Sequence, residues 1–185
     1  IYLARYTGDK NTDIYEYSLG SGTSLEMPKE ITSHSAIETE PVLSPDGKML
    51  AYVSDRTGAP QIYIMDLNSK KATRISKEGG YNTSPAWSPD SSMVAYTSQR
   101  SGSRSAIYRV RIDDKLSTQT RVSPENISSE SPTWSPDGSM VAFQGWQKGA
   151  WKIFYVLSTG GPAERLTNSS QWMIETGPSW SSRLK

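Results

Sequence analysis

Thr39 to Leu67 read TEPVLSPDGKMLAYVSDRTGAPQIYIMDL, and two later stretches repeat this pattern with few gaps. The second is TSPAWSPDSSMVAYTSQRSGSRSAIYRVRI (83–112), the third is ESPTWSPDGSMVAFQGWQKGAWKIFYVL (130–157), and a fourth copy, TGPSWSS, begins at residue 176. The leading prolines of the copies lie 44, 47 and 46 residues apart, at Pro41, Pro85, Pro132 and Pro178. A period of ~40–50 residues is typical of one blade of a β-propeller.

The pattern of each full copy predicts four short strands. The first runs into Ser-Pro-Asp-Gly or a close variant, which predicts a turn because proline presets φ and glycine accepts positive φ. A mostly apolar second strand follows, as in Met49–Ser54, and the third alternates, as in Ile62–Met65. The fourth, Ala72–Ser76 in the first full copy, is polar, which suits an exposed edge. The sequence therefore predicts an all-β fold, a β-propeller of four-stranded antiparallel blades.

The two ends of the chain hold complementary parts of one more blade. Residues 1–32 contain a second, third and fourth strand, whereas residues 177–185 contain only a first strand. We expect the two parts to pair as a composite blade that closes the ring. With blades at 39–76, 83–123 and 130–167, that makes about four blades in a single domain, 1–185. The same ends would arise in part of a larger propeller, so the sequence leaves both interpretations open.

Composition excludes several functional classes. The chain has 185 residues, with 20 Lys+Arg against 19 Asp+Glu, so we expect no recruitment to nucleic acid by bulk charge. The sequence contains no run of 18 apolar residues, so we expect no membrane insertion. With 0 Cys and 1 His, thiol catalysis, Cys-ligated zinc and His-cluster metal sites are excluded. His34 stands between Ser33 and Ser35, and no G-x-S-x-G motif occurs. We therefore predict that the chain is not an enzyme and needs no cofactor.

Residues that recur once per repeat favour structural roles. The aspartates of the Ser-Pro-Asp triplets indicate turns, and the inner-strand tryptophans indicate packing between blades; these are Asp46, Asp90, Asp137, Trp87, Trp134 and Trp180. Trp146, Trp151 and Trp172 break the repeat. They contact either a partner or an irregular part of the core.

Residues just before each leading proline are the candidate binding site. In a propeller the innermost strand starts at one mouth of the central channel, so these residues should ring that mouth. We expect partner binding by Glu38, Glu40, Tyr81, Asn82, Glu130, Trp172 and Glu175. The glutamates give the mouth an acidic character, which suits a basic partner or a cation in the channel. The alternative is a solvated polar rim without a ligand.

The repeat resembles that of the TolB family, the periplasmic propeller proteins of the Tol–Pal system. The resemblance lies in the motifs SPDGKMLAYVSDRTGAPQIYIMDL (44–67), PAWSPD (85–90) and PTWSPDG (132–138), and in the terminal GPSWS (177–181). It implies a periplasmic or otherwise exported protein whose propeller binds an envelope lipoprotein at its central opening. TolB proteins also carry an N-terminal α/β domain and a six-bladed ring, neither of which is complete here.

The same repeat occurs in the propellers of prolyl-oligopeptidase-like serine peptidases. A substrate-gating propeller without its catalytic domain is therefore the alternative function. Two departures from the TolB pattern stand out: Ser91 follows Asp90 where glycine is usual, and Ser182-Arg183 stand where Pro-Asp would be expected.

Overall fold

Four antiparallel sheets make up the computed structural model, which describes residues 1–8, 11–18, 27–77, 79–100, 102–113, 118–170 and 172–181. No helix occurs in these ranges. The first sheet has three strands and the others have four, and in each sheet neighbouring strands follow one another along the chain. The strands are β1 (Tyr2–Gly8), β2 (Asn11–Glu16), β3 (Lys29–Glu30), β4 (Glu38–Leu43), β5 (Met49–Ser54), β6 (Gln61–Asp66), β7 (Ala72–Arg74), β8 (Tyr81–Trp87), β9 (Met93–Gln99), β10 (Ala106–Arg111), β11 (Gln119–Arg121), β12 (Ser128–Trp134), β13 (Met140–Gln147), β14 (Ala150–Leu157) and β15 (Glu164–Arg165).

The all-β propeller prediction is confirmed, and apolar side chains between adjacent sheets hold the blades together. The described ranges contain three buried clusters: one joins the first and second sheets, one the second and third, and one the third and fourth. Trp87 and Trp134 are buried, and their indole Nε1 groups donate to the carbonyls of Val42 (2.9 Å) and Ala86 (3.0 Å) in the preceding blade. The predicted role of these tryptophans in packing between blades is thus confirmed.

The Ser-Pro-Asp triplets form closed hydrogen-bonded turns. The Ser88 hydroxyl donates to Asp90 Oδ1 (2.6 Å) and accepts from the Met93 N–H (2.9 Å), and the other two full repeats show the same pair of bonds. Ser91 keeps the left-handed backbone that glycine has in the other turns, with φ 60° against 74° for Gly47. Its hydroxyl accepts from the Asp46 N–H of the neighbouring blade (3.1 Å), so this departure from the family pattern adds a contact between blades.

We expect the aspartates of these turns to make the stability of the folded chain sensitive to acid. Hydrogen bonds from Ser88 and then Ser92 lower the pKa of Asp90 from 3.8 to about 2. A carboxyl whose pKa is lower in the folded chain than in the unfolded chain stabilises the folded state above pH ~4. This stabilisation is lost as the pH falls toward 2. Asp90→Asn should therefore flatten the fall in melting temperature between pH 5 and pH 2. Thermal melts across this range test the expectation, with Glu125→Gln as an exposed control; equal slopes for both variants would contradict it.

Each full blade has a bulge in its first strand, which the sequence did not predict. The pairing register shifts between Thr39 and Val42 and at the same point in the next two blades. The residue before the leading proline has a left-handed backbone there, with φ between 52° and 55° at Glu40, Ser84 and Ser131. Such a bulge leaves one residue unpaired and turns the strand. It therefore decides which residues before the proline face the channel and which face the neighbouring blade.

The two ends of the described chain pack against different blades. β1 is the edge strand of its sheet, while Ile14 of the same sheet packs against Leu50 and Tyr52 in the second blade. The indole of Trp180 donates to the carbonyl of Thr133 (3.2 Å), as the equivalent tryptophans do in earlier blades. Within residues 172–181 no strand pairs with β1. Ring closure by the composite blade stays a prediction, and residues 182–185 of that blade lie outside the described ranges.

Candidate partner-binding face

One face of the propeller, here called the mouth face, carries the start of each first strand. Glu38, the first residue of β4, pairs with Ser54 at the end of β5, and Ser54 pairs with Gln61 at the start of β6. The hairpins between second and third strands therefore share this face with the segments that enter each blade. The Ser-Pro-Asp turns follow the other ends of the first strands and lie on the opposite face.

Glu38 is fully buried, so its side chain does not reach solvent at the mouth, and partner binding by Glu38 stays a prediction. Its Oε1 accepts from Arg56 Nη2, which also donates to the hydroxyl of Tyr52 (3.0 Å). The Arg56 guanidinium also lies 4.5 Å from the ring centre of Tyr63. Burial in this cluster raises the pKa of Tyr52 to about 12. The charge of Glu38 is therefore compensated inside the blade.

Asn82 occupies the equivalent position in the next blade and is also fully buried. Its Nδ2 donates to Gln61 Oε1 (2.8 Å), and its backbone N–H donates to the Pro60 carbonyl (2.9 Å). Asn82 therefore joins two blades. Tyr81, the residue before it, is 52% exposed on the mouth face, where a partner can reach it.

Glu40 and Glu130 are the predicted site glutamates that reach solvent without a cationic partner among the described residues. Glu40 is exposed and accepts from the bulge N–H of Ser84 (2.6 Å). Glu130 is half-buried and accepts from the Ser105 hydroxyl (3.0 Å). Neither forms an ion pair with a cationic side chain in the described part of the chain. The negative charge that the sequence predicts for the mouth is therefore uncompensated at these two positions.

Glu175 is neutralised by a lysine that the sequence analysis did not single out. Its Oε2 lies 3.5 Å from Nζ of Lys152, whose side chain is buried in the fourth blade. Hydrogen bonds from the side chains of Thr167 and Ser169, together with the Lys152 charge, lower the pKa of Glu175. The Glu175 N–H also donates to the Trp151 carbonyl (3.1 Å), which fixes this segment against β14.

The tryptophans outside the repeat divide into two groups. Trp146 and Trp151 stack edge to face with ring centres 5.5 Å apart, and Trp146 remains 44% exposed. Trp172 is 84% exposed. Its neighbours Met173 and Ile174 are also exposed, at 59% and 70%. The last segment before the leading proline of the fourth copy thus presents apolar side chains to solvent.

A repeated arginine is a further residue class that the sequence analysis missed. Arg74 donates through Nε to the carbonyl two residues ahead, and Arg121 and Arg165 do the same in later blades. The signal was present in the sequence as TRIS (73–76), TRVS (120–123) and ERLT (164–167). These arginines fix the polar outer strands, so they are structural residues.

The described residues contain no group of three or more His, Asp or Glu side chains arranged to hold a metal ion. The possibility of a cation in the channel therefore stays a prediction, as does the absence of a cofactor. In the same ranges no helix has the length and apolarity needed to cross a membrane.

The sheets, their repeated turns and the tryptophans between them define a β-propeller module. Comparison with known proteins makes the assignment specific, because the model of the TolB β-propeller domain matches residues 3–184. The chain belongs to this family.

The Tol-Pal system protein TolB of Desulfosudis oleivorans is 40% identical over 73 residues, which is 40% of this chain and 16% of that protein. The crystal structure of TolB from Acinetobacter baumannii is 27% identical, with a TM-score of 0.72 over 94% of this chain and 42% of that one. The chain therefore spans less than half the length of these relatives. A puromycin-hydrolyzing peptidase from Mycobacterium tuberculosis, 17% identical with a TM-score of 0.67 over 91% of this chain and 29% of that one, shares the fold alone.

Proposed function

We propose that this chain is a non-catalytic protein-binding propeller module of an exported, periplasmic protein. Its mouth face binds a cell-envelope partner such as a peptidoglycan-associated lipoprotein. The observation that carries the proposal is the pair of accessible, uncompensated carboxylates of Glu40 and Glu130 at the mouth. Family membership supports it, because relatives are named for the Tol-Pal system.

A binding role also agrees with the chemistry of the side chains. His34 is exposed, and the chain has 0 Cys and no other His, so it offers no imidazole or thiol beyond this one group. Nucleophilic hydrolysis of the serine-peptidase kind needs a serine activated by a positioned base. The mouth face supplies instead fixed carboxylates and exposed aromatic side chains, which are groups that suit recognition of another protein.

The electrostatic part of the proposal is tested by titrating the chain with the soluble domain of a peptidoglycan-associated lipoprotein. Replacing both Glu40 and Glu130 with Gln should weaken binding about ten-fold, because each exposed charge pair contributes ~0.7 kcal/mol. The glutamine amide oxygen can still accept the hydrogen bonds that these residues receive. Binding of the wild-type chain should weaken as salt is raised, and that of the double variant should change less.

Glu30→Gln is the matched control, because Glu30 is exposed on the outer strand β3 of the first blade. It should bind as the wild-type chain does. Equal affinity of the wild-type chain and the double variant at low salt would contradict the role of these carboxylates. Failure of the wild-type chain to bind the lipoprotein domain would contradict the proposed partner.

The alternative is a gating propeller of a serine peptidase, and it rests on the fold shared with peptidases at 17% identity. Binding of the purified chain to the catalytic domain of such a peptidase, without binding to the lipoprotein domain, would favour this alternative. Hydrolysis of chromogenic peptides by the purified chain, lost on replacing a single serine, would contradict the non-catalytic role itself.

A further inference from the structure

A buried lysine holds the segment that leads into the fourth leading proline. The Lys152 side chain is only 2% exposed. Its Nζ donates to the Ser169 hydroxyl (2.5 Å) and to the carbonyls of Ser170 (2.8 Å) and Met173 (2.6 Å), and it pairs with Glu175 at 3.5 Å. Every one of these partners belongs to residues 169–175. An ammonium group buried in this way is stable only when oxygens replace its water shell.

The equivalent positions of the other full blades carry no charge. Lys152 comes directly before Ile153, whose N–H donates to the Thr167 hydroxyl. In the two preceding blades the N–H groups of Ile62 and Ile107 donate to serine hydroxyls in the same way. The residues directly before them, Gln61 and Ala106, are therefore the counterparts of Lys152. Packing of a blade therefore does not require a lysine here. Its partners indicate what it does: it fixes the backbone of one exposed segment.

The segment so fixed displays three consecutive apolar side chains, here called the apolar knuckle: Trp172, Met173 and Ile174. They are 84%, 59% and 70% exposed. The backbone beneath them is bonded at several points, because the Met173 N–H donates to the Ser170 carbonyl (3.1 Å) and the Glu175 N–H to the Trp151 carbonyl (3.1 Å). The knuckle is thus held out from the fold with little freedom to collapse onto it.

We propose that the apolar knuckle is the anchor of the binding surface, with Lys152 as its positioning residue. Its occupant is an extended segment of a partner protein that carries an apolar side chain close to a Lys or Arg. The location of this site on a partner-binding face rests on the proposed function. The apolar anchor and its dependence on Lys152 go beyond that function.

Two observations determine this choice of occupant. An exposed tryptophan with apolar neighbours on a hydrogen-bonded backbone is the kind of group that dominates binding energies, because it buries a large apolar area while little backbone freedom is lost on association. The segment that follows the knuckle is also linked to the uncompensated charge of the mouth: the Gly177 N–H donates to Gln144 Oε1 (3.1 Å), and Gln144 Nε2 donates to Glu130 Oε2 (3.4 Å). A partner segment that covers the knuckle can thus place a cationic side chain near Glu130.

The experiment measures binding of the purified chain to an array of synthetic 12-residue peptides that vary one central apolar residue and the charge of its neighbours. The wild-type chain should prefer peptides with a large apolar residue beside Lys or Arg. Trp172→Ala should weaken the best peptides about thirty-fold, the loss typical of truncating a binding hot spot. Trp172 is exposed, so this variant should melt as the wild-type chain does.

Lys152→Met tests the positioning role. It should weaken the same peptides about ten-fold or more and speed amide hydrogen exchange in residues 169–176, while exchange in β8–β10 stays unchanged. The matched control is Lys148→Met, which removes a lysine from the β13–β14 hairpin of the same blade. If Lys152→Met unfolds the chain, Trp172→Ala still decides whether the knuckle binds.

Three results would overturn the inference: no preference for apolar-basic peptides, unchanged binding by Trp172→Ala, or a self-association of the chain that Trp172→Ala abolishes, which would assign the knuckle to a second copy. The two proposals can fail separately. Peptide binding without lipoprotein binding would contradict only the proposed partner. Lipoprotein binding that is unchanged by Trp172→Ala would contradict only the role of the knuckle.

Discussion

Trp134→Ala should lower the free energy of unfolding by about 3–5 kcal/mol, which is the usual cost of deleting a buried aromatic side chain. Trp134 is 7% exposed and packs in the cluster that joins the third and fourth blades. Its removal leaves a cavity in this cluster and removes the hydrogen bond that the indole donates to the Ala86 carbonyl. Because domains of this size are stable by only ~5–15 kcal/mol, much of the stability should be lost.

Urea unfolding followed by circular dichroism measures this change. Trp134→Phe is the matched variant, because it keeps most of the apolar volume and loses only the indole donor, so a smaller loss of about 1–2 kcal/mol is expected. Trp146→Ala is the exposed control and should cost less than either. A loss below 1 kcal/mol for Trp134→Ala would show that the tryptophans between blades do not hold the propeller together.

Glu38→Gln should destabilise the chain by about 2 kcal/mol, although a glutamate at the rim of a channel would ordinarily be replaced at little cost. The substitution preserves shape but leaves the Arg56 guanidinium without its counter-charge in a partly buried cluster. Breaking a fully buried pair costs ~3–5 kcal/mol, and the smaller value is expected because the Arg56 side chain is 20% exposed.

The double variant Glu38→Gln/Arg56→Met separates charge from packing. Removing both partners should recover part of the loss, because no uncompensated charge remains. Glu125→Gln, on an exposed turn, is the control and should change the free energy of unfolding by less than ~0.5 kcal/mol. An equally small effect of Glu38→Gln would contradict the buried pair and restore Glu38 as a rim residue.

The fold was predictable because the sequence motif of one blade is repeated several times along the chain. The 44-, 47- and 46-residue spacing of the prolines locates the blades, and Trp87 and Trp134 share one position whose environment is the same each time. Where Ser91 replaces the expected glycine, the left-handed turn persists. Because the motif is repeated, a departure from it in one copy, such as Ser91, did not prevent prediction of the fold.

The site was only partly predictable, because its charges are compensated by residues distant in sequence. Glu38 and Glu40 differ by two positions, yet a bulge leaves one buried against Arg56 and the other exposed. Likewise Glu175 meets Lys152 only after the chain has passed through β15 and the following segment. Spacing alone cannot show which carboxylates keep their charge toward solvent.

Hydrogen–deuterium exchange of the chain with and without the soluble lipoprotein domain is the most direct test of the central claim, that the mouth face binds an envelope partner. Binding at the mouth face should slow exchange in residues 38–40, 81–84, 129–131 and 172–177 when the lipoprotein domain is present. The Ser-Pro-Asp turns at 44–48, 88–92 and 135–139 should exchange as they do in the free chain. Protection confined to those turns, or no protection at saturating lipoprotein, would contradict it.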